Sequence, residues 1–329
     1  MKLPQQLIQQ VRRIATHARP HLDELAALWL VLRFGKLCFP GAAQASLHFW
    51  TSGAMAADWQ PEPTDLLIGV GNSPYNEHPD LMAGRRRKRG ECATTLIAQA
   101  MGIAGEPELA PILAYAADTD AAPERDTFGL ASVVKDLNER FADDPRQVID
   151  IVFKILDAKF YAQRQFHSCA AEFAKLQQEG KATVVETERG GRHLRIVAAQ
   201  TGNPKFQSWA RWPKGLGAAV VIQQQPSGNV QIVKQDRLVP VATMERIAVS
   251  LRLAEAEVAG IRHGPEVLFM VAQEGMWEDG RWFVFKAANG GGVEEVKMIL
   301  NGSHSHPDVP PTLLPLAMIL RIVEGALIG

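Results

Sequence analysis

Cysteine is scarce in this chain, with three residues in 329, at positions 38, 92 and 169. They are odd in number, far apart and without any Cys-x-x-Cys spacing. That excludes a disulfide framework and a zinc knuckle, and it fits a reducing, cytoplasmic setting. Long apolar runs are missing as well. The two most apolar stretches, residues 25–32 and 313–320, are interrupted just beyond by Arg33 and Lys36, and by Arg321 and Glu324. Both fall far short of the roughly 20 residues that cross a bilayer, so they read as buried helices and no membrane partner is expected. The opening MKLPQQLIQQVRRIATHA holds no apolar h-region of a signal peptide. Neither sign of charge is in excess, since 35 Lys+Arg face 36 Asp+Glu for a net charge of −1. Binding of nucleic acid through bulk charge is thereby excluded, and any anionic partner must be held by a local patch or by metal. No internal repeat or low-complexity segment is present.

What remains is an ordinary globular composition, 47% hydrophobic and 22% charged. Its length is too great for one ordinary core, so two domains are expected. Short apolar runs alternate with helical patterns through the first third. Strands are predicted over residues 13–16, 46–50 and 66–70. Helices are predicted over 22–34, with Gly35 as cap, over 91–101, and over 109–117, stopping at Asp118-Thr119-Asp120. Strands and helices alternating at these lengths predict an α/β domain, residues 1–126, with a parallel sheet covered by helices. Residues 128–139 and 145–180 read as helices, the second roughly 50 Å long at about 1.5 Å per residue, and so as a connector over 127–180. Beyond Gly180 the texture becomes β-type, with runs at 182–187, 193–198, 218–223, 230–234, 267–271 and 282–287. Helices near 244–258 and at the C-terminus accompany them. This predicts a smaller α+β domain, residues 181–329. Trp277, Trp282, Phe283 and Phe285 lie on its β-type segments and read as core.

The sharpest local feature is HARPHLDE, which sets His17, His21 and Asp23 within seven positions. Two imidazoles and a carboxylate suit Mn²⁺ or a similar divalent metal that accepts mixed nitrogen and oxygen donors. The motif leaves a strand end and enters the first turn of a helix, where ligand sites of open α/β sheets lie. The same residues also suit a plain surface loop, with Asp23 favouring the helix N-terminus. Further along, LLIGVG leads into a polar loop with Asn76, Glu77 and His78, and an apolar helical run ends in Asp118 and Asp120. Each cluster follows an apolar element, so the clusters can converge. Asp118 and Asp120 also suit plain turn or cap roles.

HARPHLDELAALWL resembles the first motif of the DHH phosphoesterase superfamily, nearest the melanocyte-proliferating-gene-one branch of RNA exonucleases. LLIGVGNSPYNEHP is similar to the strand bearing that family's second-motif Asp together with its Asp-His-His loop. AADTDAAPE is similar to the Asp-rich fourth motif, and NGSHSHPDVPPT sits where the family carries a Gly-Gly-His substrate loop. The resemblance implies a DHH-like N-terminal domain, a site between the two lobes, and hydrolysis of a phosphodiester in a nucleotide or short oligonucleotide. It implies a metal set of His17, Asp23, His78 and Asp118 or Asp120, with Asp23, Glu77 and His78 as the catalytic group. Glu77 serves there as an oxygen ligand or as general base. His21 is implied to touch substrate or orient Asp23 rather than ligate.

Two departures stand out. Gly69 occupies the place of the family's metal-bridging Asp, and the signature triplet reads Asn76-Glu77-His78. The loss of carboxylates favours Mn²⁺ over Mg²⁺, which depends on them, and suggests that Gly69→Asp or Asn76→Asp would raise metal affinity. A catalytically degenerate, nucleotide-binding or regulatory protein on the same scaffold, and a hydrolase of some other small phosphoester, both stay open. So does a homodimer. The basic run Arg85, Arg86, Arg87, Lys88 and Arg89 lies close after His78. It is equally suited to a phosphate clamp and to a solvated loop. Ser303, His304 and His306 in the NGSHSHPD loop are further substrate-binding candidates, or inert loop residues. The glycine cluster at 288–292 fits neither a P-loop nor a dinucleotide fingerprint.

Overall fold

The computed structural model describes residues 8–51, 56–78, 90–122, 124–262, 273–277, 281–288, 292, 294–302 and 308–328. The chain divides into two compact units, Met1–Arg164 and Gln165–Gly329. The boundary falls inside one long helix, so the segment expected as a connector is shared between the units.

The first unit is built on three parallel strands, β1 (Arg13–His17), β2 (Ser46–Trp50) and β3 (Asp65–Leu67), in the order β2-β1-β3. Around them lie α1 (Leu22–Phe34), α2 (Ala93–Ala100), α3 (Ala110–Ala121), α4 (Leu130–Arg140) and the first part of α5 (Pro145–Gln178). β1 pairs Arg13 with Asp65 of β3, and the side chains repeat the pairing. The Arg13 Nε and Nη2 groups donate to the two Asp65 oxygens at 2.7 and 2.7 Å, and Trp59 Nε1 adds a third bond at 3.0 Å. Arg13 also lies over the Trp59 ring, 4.2 Å from its centroid. This bidentate pair fixes the register at the start of the sheet. It also holds the Asp65 carboxyl below its usual range, although burial opposes the shift.

Helix α1 explains the apolar run at 25–32. Every residue from Leu22 to Val31 is buried. Such all-round burial needs cover on each side of the helix, which the sheet, α2, α3, α4 and Val148, Ile149, Val152 and Leu156 of α5 provide. Burying each large apolar side chain contributes about 1.5–3 kcal/mol, so α1 contributes substantially to the stability of this unit. One strand differs from expectation. β3 stops at Leu67, because Gly69 and Gly71 adopt φ of +68° and +62° and turn the chain into a loop.

The second unit is a seven-stranded mixed sheet, β4 (Ala182–Arg189), β5 (Arg192–Gln200), β6 (Val220–Gln224), β7 (Val230–Lys234), β8 (Gly275–Met276), β9 (Phe283–Ala288) and β10 (Glu294–Leu300). Its order is β4-β5-β6-β7-β10-β9-β8, antiparallel except between β5 and β6. Helices α6 (Phe206–Arg211), α7 (Val241–Val258) and α8 (Leu316–Ile328) complete it. Successive strand residues serve two different cores. Ile196, Ala198, Val220 and Ile222 pack with Met244 and Ile247 of α7 and with Val323 of α8, whereas Val197, Ala199 and Val221 pack with Phe206, Trp209 and Phe173. The period of two puts alternate side chains on opposite faces, so near-continuous apolar strands mark a sheet covered on both sides. Strand β10 and helix α6 were not expected from the sequence, and the strand expected at 267–271 lies outside the described residues. Trp282 is fully buried as expected, but Phe285 is 39% exposed.

Three buried polar side chains inside this unit are well paired, whereas Gln235 Oε1 is a buried oxygen without a hydrogen-bond partner. Glu255 is fully buried in α7, and its carboxylate accepts from Trp282 Nε1 at 2.9 Å, from Leu313 N at 2.7 Å and from the Thr312 hydroxyl. Arg252, equally buried, donates to the carbonyls of Trp282, Gln273 and Gly275. Asn301 donates to the carbonyls of Arg281 and Pro310 and accepts from Thr312 N.

Candidate functional site

In the first unit, one cluster forms just beyond the C-terminal end of β1. The chain leaves β1 at His17, crosses Ala18–Pro20 and enters α1 at its N-cap, His21. Asn138 of α4 pins this crossing by donating to the Pro20 carbonyl at 2.9 Å. Asp23 and Glu24 fall in the first turn of α1, where free backbone N–H groups and the helix dipole favour negative charge. Their roles then separate. Glu24 accepts from His21 N at 2.8 Å, the return half of a capping box, and its other oxygen is paired with His17 Nδ1. Asp23 has its backbone carbonyl held by the buried Thr94 hydroxyl of α2, while its carboxylate points into the cluster.

Three carboxylates converge there. Asp23, Glu77 and Asp120 each offer an oxygen, all within 4.8 Å of one another. Asp23 and Glu77 are 3% and 2% exposed. Of the four buried side-chain oxygens without a hydrogen-bond partner among the described residues, three fall in this unit: Asp23 Oδ2, Glu77 Oε2 and Thr16 Oγ1, one residue before His17. Burial pushes the Asp23 carboxyl well above its usual range, and the charges of Glu24, Asp120 and Glu77 add to this. Burial raises Glu77 too, with Asp120 and Glu24 contributing. Cys92, at the N-cap of α2, is pushed up to about 11 by burial, with Asp23 and Asp120 adding. By contrast the Glu24 carboxylate raises His17, which favours its protonated form. An unpaired buried carboxylate is costly, and two beside a third repel one another. A divalent cation removes both penalties at once, and three carboxylate oxygens form a hard-cation donor set.

The sequence-derived candidates are distributed as follows. Asp23, Glu77 and Asp120 come together. His21, Asp23, His78 and Asp120 share the wall of a cavity of about 310 Å³ with Thr119, Val134 and Lys135. His78 remains largely exposed, with Nδ1 3.6 Å from Glu77 Oε1. His17 stacks beside His21, ring centroids 6.2 Å apart, but its Nδ1 is committed to Glu24. Asp118 does not join the group. Helix α3 continues to Ala121 rather than ending at Asp118, and residues two apart on a helix lie about 200° apart around the axis. Asp120 therefore turns inward and Asp118 outward, where it is exposed. Arg85, Arg86, Arg87, Lys88, Arg89, Ser303, His304 and His306 lie outside the described residues. Glu24, Thr94 and Cys92 are contributors that the sequence reading passed over. For Glu24 a signal existed, since it stands three residues after the N-cap.

Gly69 and Asn76, both singled out in the sequence, have local structural roles. A Cβ on Gly69 would strike the Glu24 carboxylate, with Glu24 Cγ and Cδ at 2.8 and 2.9 Å, and Gly69 has φ +68°. The Glu24 side chain fills the space that a side chain at 69 would need. Asn76 is bound within its own loop. It donates to the Gly71 carbonyl at 2.7 Å and accepts from His78 N at 3.0 Å. Gly69→Asp would therefore displace Glu24 and strain the backbone, and Asn76→Asp would remove the bond to Gly71. The preference for Mn²⁺ drawn from an imidazole-rich set rests on His17 and His78, and neither is among the three converging groups.

Comparison with family models, curated proteins and solved structures finds no match for this chain. Among the described residues, no helix is long and apolar enough to cross a membrane.

Proposed function

We propose that the first unit is a divalent-metal-dependent phosphoester hydrolase of DHH type, acting on a nucleotide or short oligonucleotide, with Asp23, Glu77 and Asp120 holding the ion. The pair of buried, unpartnered oxygens Asp23 Oδ2 and Glu77 Oε2, beside a third carboxylate, carries this reading. Such atoms are rare in folded proteins, and their clustering at the C-terminal end of a parallel strand marks a binding site rather than a packing fault. The chemistry the ion supplies when bound is neutralisation of phosphate charge and activation of water. The chain's own groups do the rest. His21, His78 and Lys135 on the cavity wall present donors to phosphate oxygens. His17, whose Nδ1 is held by Glu24, keeps a proton and a fixed ring orientation beside the acids. The phosphoester class and the cytoplasmic setting rest on the motif resemblance and on the three buried free thiols.

Calorimetric titration of the whole protein with Mn²⁺ and Mg²⁺ at pH 8, with and without Asp23→Asn, tests the site. Mn²⁺ is the first choice because it accepts oxygen and imidazole alike. Binding is expected in the wild type and a loss of at least about tenfold in the variant, equal to ~1.4 kcal/mol. Equal binding by the two proteins would sink the assignment. Release of nucleotides from a short oligonucleotide in Mn²⁺, abolished by Asp120→Asn, tests the chemistry. One observation favours a second, non-catalytic reading: Glu24 occupies the space beside Gly69 and engages His17. Metal binding without turnover is the outcome that would select it.

A further inference from the structure

A second cavity adjoins the acidic one within the same unit. We propose that it is a subsite for an apolar aryl or alkyl ester group, which gives the site a second substrate class beside nucleotides, whose bases stay outside this cavity. The inference rests on the metal-site reading above and adds a substrate class to it. The cavity measures about 360 Å³, within the range of small-molecule sites of roughly 300–1,000 Å³. Its walls include Ala26, Ile112, Tyr115, Leu130, Ile155 and Leu156.

Its position follows from three helices that serve both spaces. Leu22 of α1 lines both cavities. Helix α3 gives Ile112, Tyr115 and Ala116 to the apolar one and Thr119 and Asp120 to the acidic one. Helix α4 gives Leu130 to the first and Ala131 and Val134 to the second. A phosphoester held against Asp23, Glu77 and Asp120 thus has an apolar cavity on the far side of Leu22, and the proposal places its ester group there.

The lining selects what fits. Among the described lining residues only Lys159, at the exposed side, is charged. The Tyr115 hydroxyl is committed, donating to Glu124 and accepting from Ala131 N at 3.3 Å. A nucleobase has donors and acceptors along its edge, and burial here would leave them unpaired, a strong penalty. A phenyl or alkyl group has no such groups to lose. Ile155 at the rim is 39% exposed, as expected of a wall that a ligand covers.

The test is calorimetric binding of methyl phosphate, phenyl phosphate and uridine monophosphate to the full chain in Mn²⁺, repeated on Ile155→Trp. Ile155 is partly exposed, so the larger ring fills the cavity without invading the core. Phenyl phosphate is expected to bind about 30-fold more tightly than methyl phosphate, from removal of roughly 80 Å² of ring surface from water. Ile155→Trp is expected to reduce that ratio to about threefold or less and to leave methyl phosphate unchanged. Equal binding of the two simple esters, or uridine monophosphate binding as tightly as phenyl phosphate, overturns the subsite alone. Absence of any Mn²⁺-dependent binding of methyl phosphate overturns the metal-site reading, and the subsite with it.

Discussion

Glu255 and Asp23 are both carboxylates buried in helices, 0% and 3% exposed, and they are treated in opposite ways. Around Glu255 in the second unit, an indole N–H, a backbone N–H and a hydroxyl all donate to the carboxylate, and the Arg281 guanidinium lies 3.5 Å away. Around Asp23 in the first unit stand other acids, and one of its oxygens has no partner. Glu255 ties α7 to β9 and to the approach of α8, the work of a fully satisfied polar network that specifies one packing. The Asp23 group carries electrostatic repulsion that a retained proton relieves, as the cation proposed above would. Satisfaction of hydrogen bonds, rather than burial or residue type, is what sets these two acids apart.

Three experiments can break or sharpen that contrast. The largest effect is expected from Glu255→Ala, which strands the Trp282 indole and the Arg281 charge. It should destabilise the second unit by about 3–5 kcal/mol in urea unfolding. A loss below about 1 kcal/mol would remove the structural role. A smaller change of opposite sign is expected from Asp23→Asn. The metal-free protein should gain roughly 1–3 kcal/mol, because an unpaired buried charge becomes a neutral amide, while stabilisation by Mn²⁺ disappears. If this variant is less stable than the wild type in a chelator, Asp23 is a structural acid like Glu255. The smallest effect is in the pH profile. Asp23 and Glu77 are raised in the folded state, so they keep protons that the unfolded chain releases near pH 4. Unfolding then releases protons, and metal-free stability should fall as pH climbs above about 4, levelling off beyond the raised values. Mn²⁺ should reverse the trend, because the ion competes with those protons. Melting temperatures from pH 4 to 8 in chelator and in Mn²⁺ measure this. Parallel curves for wild type and Asp23→Asn would count against it.

Much of the architecture was legible before any coordinates. The 25–32 run had to be a buried helix, since no polar face interrupts it. The strands at 13, 46 and 230 begin where β-branched or aromatic residues follow turn signals. Strand β3 was overextended because LLIGV looks like one apolar run, and periodicity cannot register two glycines at positive φ. Strand β10, EEVKMIL, was missed because its two glutamates and a lysine disguise a pattern that only pairing with β7 and β9 stabilises.

The sequence by itself determined the placement of His17, His21 and Asp23 at a strand-to-helix junction. Local propensity, Pro20 and the acidic first turn suffice for that. It could rank Asp120 no higher than Asp118, because both are acidic and adjacent, and only the phase of α3 against its neighbours turns one inward. Nor could it show Glu24 filling the space beside Gly69, a contact across 45 residues that exists only when the β3 loop folds over the start of α1. Tertiary structure alone decided which acids lose their water together, because desolvation and mutual repulsion depend on distances between segments that chain order leaves open.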